Sequence, residues 1–281
     1  MTDNYQTRIT NKLINRNIAL PQDHGSWVFL LSPLLIGLFA APNWSISSLL
    51  LIIASFSAFL IRQPITHLIK IYSKRRPKTD TNAAVFWTVI YTIIGFVCML
   101  GLIHLGFSYI MVLVVPGIFV FIWYLFLVSK RSERNQTGVE IVASGVLALS
   151  APAAYWVGLG IIDLTGWVLF ILVWLQSAAS IVYVYTRLRQ RQLKDRPELS
   201  ERLRLGQRSL LYTSFNFIVV FIFSLIGFLP QFLPIPYFVQ WAEVFWGTYN
   251  PAIQTKPTKI GLRQLLVSSI FTILFIITWR S

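Results

Sequence analysis

Long apolar runs alternate with short polar and basic stretches along almost the whole chain. The runs lie near 26–41, 45–69, 83–105, 108–128, 138–158, 165–186, 209–229, 234–250 and 263–279. Most approach or exceed the ~20 residues that cross a hydrocarbon core, so the pattern predicts an all-α membrane protein of nine transmembrane helices. The first run is short, and the eighth carries Pro234, Pro236, Gln240 and Glu243. Within the runs apolar residues do not alternate with polar ones, which excludes a transmembrane barrel. Ahead of them, residues 1–22 read as a cytoplasmic arm. Arg8, Lys12 and Arg16 share a face opposite Ile9, Leu13 and Ile14 there, the pattern of a short in-plane amphipathic helix. Residues 23–281 read as a single transmembrane domain.

Composition agrees. Of 281 residues 56% are hydrophobic and 12% charged, with mean hydropathy +0.65, too little polar surface for a globule in water. Basic residues number 24 against 10 acidic, a net charge of +14. In a soluble protein that excess would point to nucleic acid. Here its distribution gives topology instead, and no nucleic-acid partner is expected. With the N-terminus in the cytoplasm, 23 of the 24 basic residues fall on the cytoplasmic side and only Arg280 outside. That orientation suits a bacterial inner membrane. The polar first 25 residues lack a secretory signal, and Cys98, the only cysteine, excludes an intramolecular disulfide or a cysteine metal cage.

The two longest basic stretches follow the second and sixth runs, four helices apart. This spacing predicts two four-helix halves in the same orientation plus a ninth helix. Halves of this kind commonly enclose a cavity that opens where corresponding loops meet.

Three groups of residues are candidates for chemistry. Asp23 and His24 stand side by side where the first run begins, as a proton acceptor and donor or as helix-capping residues. Arg62, Thr66 and Lys70 lie on one helical stripe with Gln63 and His67 beside them. Arg62 directly follows an apolar run, where a charge costs up to roughly 2.5–3.5 kcal/mol and faces a cavity or snorkels to lipid phosphate. Tyr183, Arg187 and Arg191 repeat the spacing at the end of the sixth run, with Gln176 deeper. Two such stripes turned into one mouth would form an anion-attracting basin. Arg189 through Arg208 read instead as lipid-facing charges. Glu243 is the acidic residue expected to be buried, as the partner of a cavity arginine. His104 reads as interfacial. No phosphate-binding loop, dinucleotide fingerprint or metalloprotease motif appears, and no paired carboxylates stand where Mg²⁺ would bind. No cofactor or metal is therefore expected.

The segment Pro21-Gln22-Asp23-His24-Gly25-Ser26-Trp27 resembles the start of the YwiC-like family of bacterial integral membrane proteins, where Pro-x-Glu-His-Gly-Ala-Trp is common. The Val-Tyr-Val-Tyr-Thr-Arg-Leu-Arg run at 182–189 is similar to that family's second marked segment. The family implies a membrane protein without an assigned activity. A more distant, architectural resemblance is to the UbiA-type intramembrane prenyltransferases, whose functional loops also follow spans 2 and 6 of nine. Their Asn-x-x-x-Asp-x-x-x-Asp motif after span 2 and Asp-rich motif after span 6, which hold Mg²⁺ against a prenyl diphosphate, fall here on Arg62, Thr66 and Lys70 and near Tyr183, Arg187 and Arg191. The resemblance thus implies the scaffold without the Asp/Mg mechanism.

Three functions follow. The first is a protein, a metal-independent transferase if an enzyme, that binds or modifies a lipid or isoprenoid with an anionic head. Arg62, Gln63, Thr66, His67, Lys70, Gln176, Tyr183 and Arg187 would hold the ligand, and Asp23 and His24 would handle protons. The second is a transporter, and the third a non-catalytic assembly partner in the membrane.

Overall fold

The computed structural model describes residues 16–21, 24–131 and 136–281, with the side chain of His24 excepted. Asp23, Arg134 and the arm before Arg16 lie outside the described residues. Those described form helices and connecting turns, with no strand among them. In chain order the helices are α1 (Arg16–Ala19), α2 (His24–Ala40), α3 (Ile46–Leu60), α4 (Arg62–Tyr72), α5 (Thr81–His104), α6 (Met111–Ser129), α7 (Thr137–Ala148), α8 (Ser150–Leu159), α9 (Leu164–Gln190), α10 (Leu199–Leu225), α11 (Pro234–Tyr249) and α12 (Pro257–Trp279). Among the described residues seven stretches are long and apolar enough to cross a membrane: 46–72, 78–104, 108–129, 137–159, 164–190, 199–225 and 257–280. A shorter apolar helix covers Gly25–Ala40.

Two of the apolar runs are interrupted, each for the same reason. Pro64 has no N–H to give to Leu60 and Pro152 none to give to Ala148, so the rods break at Ile61 and Leu149, between α3 and α4 and between α7 and α8. The opposite kind of difference occurs at α10. It starts about ten residues before the apolar run, because its polar first turns lean on α11. Gly206 lies so close to Thr248 that a Cβ would stand 2.5 Å from its side chain, and Arg202 Nη1 donates to Tyr249 O at 3.0 Å.

Two apolar cores meet at α2 and α8. One joins Ile36 and Ala151 to Leu172, Tyr237, Phe271 and Phe275 of α9, α11 and α12. The other joins Leu34, Leu38, Ala154 and Trp156 to Leu51, Leu102 and Leu113 of α3, α5 and α6. The crossing is close because Gly37 has no side chain, and a Cβ there would stand 2.2 Å from Ala151 O. Outward, α5 and α6 expose Val89, Ile93, Phe96, Val115, Phe119 and Ile122, surface suited to lipid rather than water.

Contacts between loops sort the helix ends. At one end Gln63 reaches Asn17 O, Arg75 reaches Val128 O, Tyr185 reaches Glu140 Oε1 and Arg191 reaches Thr255 O. At the other, Tyr109 reaches Trp156 O, Trp156 reaches Asp163, and Arg280 reaches Phe39 O. The basic stretches 62–78, 187–208 and 256–263 therefore share the first end, and Arg280 lies at the second. The second end is finished by a tight turn between α8 and α9. Gly160 sits at φ +90°, a left-handed geometry that favours glycine. Asp163 then caps α9 by accepting from Gly166 N at 3.1 Å.

Candidate functional site

The last turn of α11 leaves backbone carbonyls without helical partners, at the negative end of that helix. Arginines gather on them. Arg187 Nη1 donates to Gly247 O and Asn250 O, both at 2.7 Å, and to Gln190 Oε1 at 2.9 Å. Arg196 and Arg202 both donate to Tyr249 O. Arg187 is buried with its charge set against these carbonyls. Its guanidinium also lies 5.9 Å from the ring of Tyr183 and 5.8 Å from that of Trp246.

Beside this cap stands an ion pair. Arg263 Nε meets Glu243 Oε1 at 2.6 Å and Nη2 meets Oε2 at 2.8 Å, a bidentate clasp between α12 and α11. The Arg263 guanidinium lies 3.9 Å from the Trp246 ring centroid. Tyr183 Oη donates to Glu243 Oε1 at 2.9 Å. Gly247 makes room for that phenol, since a Cβ there would stand 2.0 Å from Tyr183 Oη.

Between these elements is a cleft of about 220 Å³. It is walled by Tyr183 and Arg187 of α9, Trp246 of α11, Lys259, Arg263 and Gln264 of α12, and the 250–255 loop. Among the described residues its lining contains three cations and no carboxylate; Glu243 stands behind Arg263. The first turn of α12 carries no acidic residue, so its positive end adds to the same field.

Below the cleft a buried polar cluster ties α9, α11 and α12 together. Ser180 Oγ lies 3.1 Å from Gln176 Nε2, 3.0 Å from Gln240 Nε2 and 2.9 Å from Gln264 Nε2. Such amide and hydroxyl contacts hold helices in register where water is absent. Gln176 thus lies in the helix interface, a hydrogen-bonded layer beneath the cleft.

The predicted residues whose side chains the structure describes fall into two groups. Tyr183 and Arg187 share the cleft, with Gln176 beneath it. Arg62, Gln63, Thr66, His67 and Lys70 lie on α4, and none is in the lining of the cleft. Arg62 sits 5.3 Å from the Tyr124 ring centroid. Gln63 Nε2 bridges Asn17 O at 3.2 Å and His67 Nε2 at 3.3 Å. Thr66 donates back to Arg62 O at 2.7 Å. His67 is buried, and its Nδ1 has no hydrogen-bond partner among the described residues. His24 opens α2, and three residues on, Trp27 packs edge-on against Phe59 of α3 at 5.2 Å. Among the described residues no cluster of His, Cys, Asp or Glu could hold a metal ion.

Sequence reasoning missed Arg263, Lys259, Trp246 and the glutamine–serine layer as parts of one site. Glu243 is paired with an arginine as expected, but with Arg263 rather than with an arginine of either predicted stripe, and Tyr183 of the second stripe donates to it. The signal was available in one form: Gln176, Gln240 and Gln264 are polar residues inside otherwise apolar helices, and such residues face partners.

A multi-pass helical membrane protein with a cationic, aromatic cleft at one end of its bundle is the class that this fold defines. The model of the YwiC-like protein family matches residues 20–155, so over that stretch the chain is similar to the YwiC-like family. The match runs from before α2 into α8, so the residues lining the cleft all lie beyond it. No curated protein and no solved structure matches the chain.

Proposed function

We propose that this YwiC-like protein crosses a bacterial inner membrane nine times, with its N-terminus in the cytoplasm, and binds an amphiphile with an anionic head in the cleft between α9, α11 and α12. One observation carries the reading. Arg187, Lys259 and Arg263 line the cleft with Trp246 and Tyr183, and among the described residues the lining holds no carboxylate to compete. The volume, about 220 Å³ against the roughly 300–1,000 Å³ usual for drug-sized ligands, suits a head group rather than a whole lipid. Chains of the ligand would lie outside, along exposed side chains such as Leu262 and Leu266 of α12. Cations would neutralise the head directly, with no carboxylate-bound Mg²⁺. The shared end of the basic stretches supports the orientation, since positively charged loops stay on the cytoplasmic side.

The test is lipid retention measured by native mass spectrometry in neutral detergent, with dioleoyl phosphatidic acid compared against dioleoyl phosphatidylcholine. The expected result is preferential retention of phosphatidic acid. Arg263→Gln should weaken it by about tenfold or more, the worth of a charge-assisted hydrogen bond. Equal retention of the two lipids, or phosphatidic acid retention indifferent to Arg263, would overturn the proposal.

A further inference from the structure

The geometry points to Glu243 as a positioning residue: it clasps one edge of the Arg263 guanidinium and thereby presents the other edge to a phosphate oxyanion in the cleft. This rests on the reading of the cleft as an anion seat. A guanidinium has two open edges, Nε–Nη2 and Nη1–Nη2, and each can hold two oxygens of one anion. Glu243 takes the first, with oxygens 2.6 Å from Nε and 2.8 Å from Nη2. Among the described residues none accepts from Nη1, so the second edge is available.

The pair is also polarised in depth. Side-chain exposure is 12% for Glu243 and 42% for Arg263, so the carboxylate faces inward and the guanidinium outward. Arg263 lines the cleft whereas Glu243 does not. Two further contacts stop the clasp from swinging. The Trp246 ring lies 3.9 Å from the guanidinium carbon, and the buried Tyr183 donates to Glu243 Oε1 at 2.9 Å. An arginine so exposed would otherwise sample many rotamers, and a ligand would have to order it on binding. With the clasp in place that ordering is already done. Because Glu243 neutralises one of the three cations, the balance at the cleft suits a phosphate monoester, which carries nearly two negative charges.

Glu243→Asp is the informative substitution, because it keeps the charge and withdraws the carboxylate by one methylene. Binding of dioleoyl phosphatidic acid to the full-length protein in neutral detergent should weaken about fivefold, the cost of ordering one long side chain. In an Arg263→Gln background the same substitution should change nothing, because Glu243 acts only through Arg263. Tyr183→Phe removes the anchor without touching either charged group. It should weaken binding about twofold, again only when Arg263 is present. It also serves if the aspartate variant does not fold. Inorganic phosphate in the same cycle separates a free anion from a lipid head. A Glu243-dependent signal with either probe supports the positioning role, and one with phosphate alone makes the ligand a free anion. Unchanged binding in Glu243→Asp and Tyr183→Phe would overturn the positioning role, and the anion seat would stand as long as Arg263→Gln still loses the lipid. Equal losses in both backgrounds would reduce Glu243 to a structural residue and overturn it too. If the unmodified protein retains phosphatidic acid no better than phosphatidylcholine, the seat itself fails and the positioning role with it.

Discussion

Gly247→Ala adds one methyl group where α11 and α9 touch, and the structure gives the consequence. The new carbon would stand 2.0 Å from Tyr183 Oη and 2.9 Å from Cζ. Non-bonded heavy atoms settle near ~3.5 Å, so the phenol must retreat by about 1 Å or more. Tyr183 is only 4% exposed, so the retreat has no open space to use. Its hydrogen bond to Glu243, 2.9 Å long, is stretched or lost. Overpacking of this kind costs about 1–3 kcal/mol, and a lost hydrogen bond to a charged acceptor about 1.5–3 kcal/mol, with the two overlapping. Against them stands the better helix propensity of alanine, about 1 kcal/mol at most. The expected net destabilisation is about 1–3 kcal/mol. Unfolding of four proteins in one detergent measures it: unmodified, Gly247→Ala, Tyr183→Phe and the double variant. Phenylalanine removes Oη but leaves Cζ, so the methyl should cost less in that background without becoming free. A coupling of about 0.5–3 kcal/mol is expected for residues in contact. Gly247→Ala as stable as the unmodified protein, or with the same cost in both backgrounds, would refute the packing argument.

Glycine substitution should have opposite signs at two other helical sites. Gly37→Ala sets a Cβ 2.2 Å from Ala151 O, a backbone atom that cannot step aside, and should lower the unfolding temperature by several degrees. Gly261→Ala meets nothing within 4 Å and should leave the temperature unchanged or slightly raised; differential scanning fluorimetry in detergent reads both. Membrane topology is checked in a Cys98→Ala background with single cysteines and an impermeant thiol reagent in intact cells. Ser73→Cys and Asp195→Cys should label alike, only after permeabilisation, whereas Asn43→Cys should label without it; label on Ser73 and Asp195 from opposite sides would refute the shared end.

The helical segments were legible because apolar length is a property of the chain alone. Each predicted run contains a helix, since a backbone in lipid must satisfy its own hydrogen bonds. The breaks at Ile61 and Leu149 were written in Pro64 and Pro152, but their consequence depends on whether neighbours tolerate a bend. The helical start of α10 was hidden because residues 199–208 are polar, and only Gly206 against Thr248 and Arg202 on Tyr249 show why they are helical. Which helices touch was not legible. Nothing local in Gly37 or Ala151 says that α2 and α8 cross there, and the two apolar cores meet on that crossing.

The charges of the site show where local reading stops. The sequence establishes that a cation at the edge of an apolar run needs a partner, and the repeated spacing singled out Arg187 beside Tyr183. It does not say whether the partner is a ligand, a lipid or the protein itself. For Arg187 the structure supplies protein: the carbonyls of Gly247 and Asn250, left over where α11 ends. Those acceptors belong to the backbone and leave no mark in residue type. Arg263 shows the reverse. By position it is one more basic residue in a basic stretch, yet the clasp by Glu243 and the face of Trp246 fix its guanidinium at the cleft. Both arginines keep donors to spare: Arg187 gives Nη1 alone to protein acceptors, and Arg263 keeps the edge opposite Glu243. What separates them is exposure: Arg263 is the one turned outward, so the proposed anion seat centres on it, while the buried Arg187 adds its charge and also holds the end of α11.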